Sequence, residues 1–187
     1  MRRVVVYELL SLDGVAEDPD GFITSFDEVM AENLAGVIGS QDAVLLGRRT
    51  FEEWAGFWPA SDIEPFAGFI NNVPKYVATS GPADGSWTNV TFVRRDFAAF
   101  VAELKAQPGG DIGVHGSITL AQSLLEAGLV DELRLVIAPA IQVRGRRLFE
   151  RGRPERLTMT RSLTTPAGYL LADLRLAGAE AAAPSLP

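Results

Sequence analysis

Two short segments of this chain carry residue types and spacing suited to holding an anion. In Leu46-Gly47-Arg48-Arg49-Thr50-Phe51-Glu52-Glu53, a glycine lets backbone approach a ligand, and Arg48 and Arg49 supply guanidinium forks. Thr50 can donate to a phosphate or cap a helix. In Val114-His115-Gly116-Ser117-Ile118-Thr119, a Gly-Ser turn leads into a helix whose free N–H groups could hold a pyrophosphate without any positive side chain. Both also read as ordinary structure: a capped helix with solvated arginines, and a plain strand-to-helix turn. Neither is the G-x-G-x-x-G fingerprint or the G-x-x-x-x-G-K-[ST] phosphate loop, and the chain contains no copy of either.

Other candidates are single groups. Asp13, in Ser11-Leu12-Asp13-Gly14, lies after an apolar run and near Glu17, Asp18 and Asp20. A desolvated carboxyl there could donate a proton or bind an amide edge, and Asp-Gly equally makes a simple turn. Trp54, Phe57 and Trp58 form an aromatic group that could stack on a flat heterocycle, pack in a core or meet another subunit. Arg144, Arg146 and Arg147 surround Gly145, either as a second anion site or, the reading favoured here, as a solvated basic turn. His115 could serve Ser117 as a base. There is no G-x-S-x-G elbow, however, and residues two apart at a strand end seldom meet, so a serine hydrolase is the weakest reading.

Composition removes several chemistries. Without cysteine, the chain has no disulfide, iron–sulfur cluster, thiolate zinc site or cysteine nucleophile, and its single histidine excludes multi-histidine metal sites. No metal is expected. A formal net charge of −7 is the wrong sign for non-specific nucleic-acid binding. The first apolar run is too short for a signal peptide and no run of 18 apolar residues follows, so neither a membrane association nor a location outside the cytoplasm is expected.

The positioning elements follow from periodicity. Val4 to Leu10 predicts a buried strand. Phe26, Val29, Met30, Asn33, Leu34, Val37 and Ile38 mark one helical stripe, with Ser25 and Glu28 as a capping box and Gly39 as its stop. Ala43 to Leu46 predicts a strand, and Thr50-x-x-Glu53 a capping box opening a helix to about Phe57. Pro59 to Phe69 reads as irregular or as a broken helix. Strands follow at Lys75 to Thr79 and Val90 to Val93, then a helical face at Phe97, Phe100, Val101 and Leu104. Ile112 to Val114 predicts a strand, Ser117 to Gly128 a helix, and Leu133 to Ala138 a further strand closed by Pro139. Leu157 to Leu163 and Tyr169 to Leu176 read as an antiparallel hairpin, and Ala179 to Pro187 as a frayed tail. Strands alternating with helices imply a largely parallel sheet covered on both faces, with the hairpin at one edge.

In order along the chain, Ser11-Leu12-Asp13-Gly14, Leu46-Gly47-Arg48-Arg49-Thr50-Phe51, Lys75 through Ser80, Val114-His115-Gly116-Ser117, Gly128 through Leu133 and Pro139 through Phe149 closely resemble the dihydrofolate reductase-like family. More narrowly, the chain is similar to stand-alone bacterial relatives of the C-terminal reductase domain of the bifunctional riboflavin-biosynthesis deaminase/reductase. The resemblance implies a three-layer αβα fold over residues 1–178, with residues 179–187 as a tail. It implies an NADPH-dependent reductase acting on a pteridine- or pyrimidine-like heterocycle, and commonly a homodimer. On that basis Gly47, Arg48, Arg49 and Thr50 would hold the 2′-phosphate and pyrophosphate, and Thr79 and Ser80 would line the adenine-ribose side. His115, Gly116, Ser117 and Ile118 would form the pyrophosphate cradle. Asp13 and its loop would lie near the nicotinamide and the substrate, which makes Asp13 the candidate catalytic group and, with Trp54 and Trp58, a candidate substrate contact on the residue types given above. Two positions depart from the pattern: His115-Gly116 stands where relatives carry two glycines, and Val143 where they begin a G-x-G. The competing reading is a nucleotide- or flavin-binding module that kept the fold and lost turnover.

Overall fold

The computed structural model describes residues 1–152 and 154–177; the expected tail lies outside them. Eight strands form one sheet in the order β4-β3-β2-β5-β1-β6-β8-β7. They are β1 (Val4–Leu10), β2 (Gln41–Gly47), β3 (Lys75–Ala78), β4 (Val90–Val93), β5 (Asp111–His115), β6 (Glu132–Ile137), β7 (Leu157–Thr164) and β8 (Leu170–Leu176). The first six run parallel, and β8 is antiparallel to both β6 and β7. Five helices cover the sheet: α1 (Glu28–Gly39), α2 (Arg48–Ala55), α3 (Phe66–Asn72), α4 (Phe97–Ala106) and α5 (Ile118–Glu126).

β1 lies between β5 and β6 and is buried on both faces, as its largely apolar run, broken only at Glu8, demands. Val4, Val6 and Leu10 join one core with Val101 and Leu104 of α4 and Ile118 and Leu124 of α5. Tyr7 joins a second core on the other face with Met30 and Leu34 of α1, Phe51 of α2 and Phe66 and Ile70 of α3. Trp54, Trp58 and Trp87 pack against this second core, so all three tryptophans of the chain lie in one layer. Among the described residues no helix is long and apolar enough to cross a membrane.

Connection direction creates the opening that matters. After β2 the chain passes through α2 and α3 to β3 on one side; after β5 it passes through α5 to β6 on the other. β2 and β5 are neighbours, so their carboxyl ends diverge into a crevice at the point where the strand order reverses.

Local details correct the sequence reading. α1 is capped by Asp27, whose Oδ1 accepts from Met30 N at 2.9 Å, rather than by Ser25. α2 starts at Arg48 with Gly47 as its N-cap, three residues before the expected threonine cap. The irregular stretch contains a short 3₁₀ turn at Trp58–Ala60 and then α3, whose seven residues are too few to show a clear helical period. β2 begins at Gln41, two residues early, with an irregular register between Gln41 and Ala43.

Glu8 interrupts the apolar run of β1 and is 3% exposed, with Oε1 lacking a partner. Burial pushes its carboxyl up to about 8, against the hydrogen bond of the Gly116 amide. Folding therefore favours its protonated form, a contribution fully present below 4.5 and lost as pH rises through 8. His115, pulled down to about 3 by burial, acts oppositely but only below 6.5. Between pH 6.5 and 8 the melting temperature of the wild type is expected to fall, and that of Glu8→Gln to stay level across the same range by calorimetry.

Candidate active site

The crevice encloses about 390 Å³. One wall is the start of α2, with Gly47, Arg48, Arg49 and Thr50; the other is the turn from β5 into α5, with Gly116, Ser117 and Ile118. The two expected anion-binding segments thus face one another. They are also bonded together: Gly47 N donates to Ser117 Oγ at 3.1 Å, and Thr50 Oγ1 donates to the Gly116 carbonyl at 3.2 Å.

Both helices lack a side-chain cap, α2 because its N-cap is Gly47. Ser117 is the N-cap of α5, yet its oxygen is engaged by the other wall. The helices α1 and α4 are each capped by an aspartate, Asp27 and Asp96. An uncapped N-terminus presents first-turn amides and the positive end of the helix dipole. Two such ends meeting in one crevice make an anion site with no charged side chain required.

Arginines add charge at the rim. Arg48 pairs with Glu52 and Arg49 with Glu53, both at 2.9 Å along α2. These exposed pairs are weak and leave further guanidinium donors available. The residue missed as a site candidate is Arg146, which the sequence reading favoured as part of a solvated turn and which lines this crevice. Its place depends on how the 139–150 loop packs against the loop after β1, a long-range contact with no local signature.

Gly116 has φ +61°, and a Cβ there would lie 2.7 Å from Trp54 Cζ2. Only glycine fits, on both backbone and steric grounds. Trp54 therefore buttresses the turn, edge-on to Trp58 at 5.8 Å and Phe66 at 5.6 Å. Ala78, paired with Gly47, also lines the crevice. Thr79 and Ser80 follow it; the Thr79 hydroxyl is turned onto Gly81, donating to its carbonyl at 2.7 Å.

Two expected roles change. The His115 side chain faces away from the crevice and is 2% exposed, because strand alternation sends it toward α3. Its Nε2 meets Gln41 Oε1 at 2.8 Å, and its ring packs against Tyr7 and Phe66 at 5.7 and 5.3 Å. With Ser117 bonded to Gly47, the serine hydrolase arrangement is absent. Asp13 is a clamp: Oδ1 accepts from Ser11 Oγ and Gln142 N, and Oδ2 from Val143 N and Arg147 Nη2. These bonds, the Gln142 amide foremost, hold its carboxyl well below the usual carboxylate range, so it has no proton to donate at neutral pH. The clamp also fixes Val143 at φ +67°, where the resemblance expects glycine and a β-branched residue is strained.

In the aromatic layer around His115, the polar atoms Tyr7 Oη, His115 Nδ1 and Trp58 Nε1 are buried without partners among the described residues. The rings are continuous, with Phe66 joining Trp58 at 4.8 Å to His115. Burial raises the Tyr7 pKa, so its hydroxyl stays protonated, and leaves His115 neutral. No group of three potential metal ligands occurs among the described residues.

Comparison with known proteins agrees with this architecture. Residues 2–171 match the RibD C-terminal domain family. The uncharacterized protein YwjB of Bacillus subtilis is 30% identical over 151 residues, covering 79% of this chain and 83% of its own. A pyrimidine reductase-like protein from Corynebacterium diphtheriae superposes with a TM-score of 0.66 at 17% identity, over 94% of this chain and 92% of its own. A deaminase/5-amino-6-(5-phosphoribosylamino)uracil reductase from Thermotoga maritima gives 0.69 at 14% identity, over 94% of this chain and 56% of its own. At such identities the structures speak for the fold, which matches the expected αβα arrangement with its terminal hairpin. With nearly its whole described length matched and its fold shared, the chain belongs to the RibD C-terminal domain family.

Proposed function

We propose that this protein is an NADPH-dependent reductase that delivers a hydride to a C=N or C=O bond of a pteridine- or pyrimidine-like heterocycle. The observation that carries the reading is the pair of uncapped helix ends bonded face to face at the strand-order reversal, rimmed by arginines. Family membership supports a reductase-like activity.

The residues present fit a dinucleotide. Gly116 keeps its backbone bare against Trp54, the amides of α2 and α5 lack caps, and Arg48 and Arg49 offer the charge a 2′-phosphate requires. When bound, the nicotinamide supplies the hydride, which is why the chain needs neither thiol nor metal for that step. Residues of the chain then have three tasks. The two turns and Arg48 and Arg49 bind phosphate groups. The aromatic wall of Trp54, Trp58 and Phe66 excludes water from the adjoining space. If the aromatic layer opens, the buried Tyr7 hydroxyl and Trp58 N–H would offer two donors, and His115 Nδ1 an acceptor, to the polar edge of a heterocycle. Such unpaired buried groups cost stability until a partner satisfies them.

One observation favours the second reading, a nucleotide- or flavin-binding module without turnover: Asp13, the carboxylate expected to supply a proton, is fully engaged as a clamp. Incubation with NADPH and a panel of pterins and aminopyrimidines, followed at the nicotinamide absorbance, separates the two. Oxidation by at least one candidate is expected; tight binding with no oxidation selects the module. In calorimetry NADPH should bind at least tenfold tighter than NADH, and equal affinities would defeat the assignment of Arg48 and Arg49 to a 2′-phosphate.

The Gly116→Ala variant must place a side chain at φ +61° against Trp54. The left-handed conformation alone costs about 1–2 kcal/mol. A loss of NADPH affinity of about tenfold or more is expected, with partial recovery when Trp54→Ala is added. Unchanged affinity would move the cofactor elsewhere.

The same reading takes the chain as a homodimer. All eight residues of edge strand β7 are exposed, with Leu157, Met159 and Leu163 at 39, 52 and 40%. A long unpaired edge that carries exposed apolar side chains is an association surface unless it is covered. Light scattering is expected to give twice the chain mass, and Met159→Asp to give a monomer; a monomeric wild type would refute the dimer.

A further inference from the structure

We infer that Arg146 is a third phosphate-anchoring residue of the crevice, and that Glu17 holds its place against it as a carboxylate that an incoming phosphate group must displace. The inference deepens the proposed function and rests on its dinucleotide site.

Arg146 differs from Arg48 and Arg49 in the origin of its partner. The latter pair with glutamates four residues along their own helix, whereas Arg146 reaches the crevice from the 139–150 loop and pairs with Glu17 from the loop after β1. Its Nε donates to Glu17 Oε1 at 2.6 Å, and its backbone N donates to Glu17 Oε2 at 3.1 Å. The terminal Nη groups of Arg146 have no partner among the described residues. One edge of the fork is thus occupied and the other is open, in a residue that lines the crevice.

The hydrogen bonds from Arg146 are the main cause of the lowered titration of Glu17, and the charge of Arg49 lowers it a little further. The carboxylate therefore stands in the field of two guanidinium groups that line the crevice, a field that would also favour a phosphate oxygen. It is set there by backbone. Ala16 N and Glu17 N both donate to the Arg146 carbonyl, at 2.9 and 3.3 Å. Gly145, at φ +116°, would bring a Cβ to 2.7 Å from Val15 Cγ1, so the two loops lie as close as a glycine permits. A salt bridge whose only task was to join these loops would duplicate bonds the main chain already makes.

The test depends on sign. A purely structural clasp is broken alike by Arg146→Ala and Glu17→Gln, and both would weaken ligand binding. If Glu17 competes with phosphate for Arg146, the two substitutions act in opposite directions. With Kd measured by calorimetry on the full chain, Arg146→Ala is expected to weaken NADPH binding at least tenfold and Glu17→Gln to tighten it about threefold or more. Arg146→Lys, which keeps the charge and loses the fork, is expected to fall between Arg146→Ala and the wild type. Melting temperatures of all three confirm that a folded protein was titrated. NADH and inorganic pyrophosphate distinguish the phosphate involved: equal losses for all three ligands place Arg146 on the pyrophosphate, and a loss confined to NADPH places it on the 2′-phosphate. Weakening by both substitutions, or no change in either, overturns the inference while leaving the dinucleotide site intact. Opposite shifts for pyrophosphate with no binding of NADPH or NADH uphold the anion site and overturn the dinucleotide reading; no binding of any of the three overturns both.

Discussion

The bonds between the start of α2 and the turn before α5 are the constraint on which the site depends. Ser117 would ordinarily satisfy an amide of its own helix; here it accepts from Gly47, while Thr50 returns a bond to Gly116. Each wall is thereby held by the other, and each helix is left with its positive end uncovered. The arrangement is possible only because β2 and β5 are adjacent while their connections leave in opposite directions. A local choice of cap and a global choice of strand order thus produce one opening.

The loop after β1 and the 139–150 loop, which brings Arg146 to the crevice, follow a similar economy. Asp13 and Glu17 each hold the 139–150 loop, the first through backbone amides of Gln142 and Val143, the second through Arg146. The carboxylates of the first loop thus shape the surroundings of the crevice without supplying protons to it. Buried polar atoms without partners among the described residues belong to other side chains, among them Tyr7, His115 and Trp58 of the sheet and its aromatic layer.

Much of this was legible in the sequence, for identifiable reasons. The stripe of Met30, Leu34 and Ile38 and the apolar run of β1 report burial directly, and the Gly-Arg-Arg-Thr and Gly-Ser turns sit where strands end. Their meeting depends on strand order, which spacing does not encode, so it was reachable only through resemblance. The failures share a cause. Thr50 has the spacing of a cap, but its hydroxyl bonds a residue 66 positions away. His115 looked like part of a ligand turn because alternation at a strand's last residue is settled by tertiary packing. Asp13 resembled an acid because its four partners include two amides and an arginine from beyond residue 140. Arg146 was passed over for the same reason. Each depends on a contact between distant segments.

The segregation of aromatic residues has a practical consequence. Trp54, Trp58 and Trp87 all belong to the layer that contains α1, α2 and α3, and the core beneath α4 and α5 has none. Intrinsic indole emission is therefore a one-sided reporter: it registers loosening of that layer and events beside Gly116, while fraying of α4 and α5 would pass unseen. An emission probe placed in the silent half, at a position such as Phe100, would make the two faces of the sheet separately visible during unfolding.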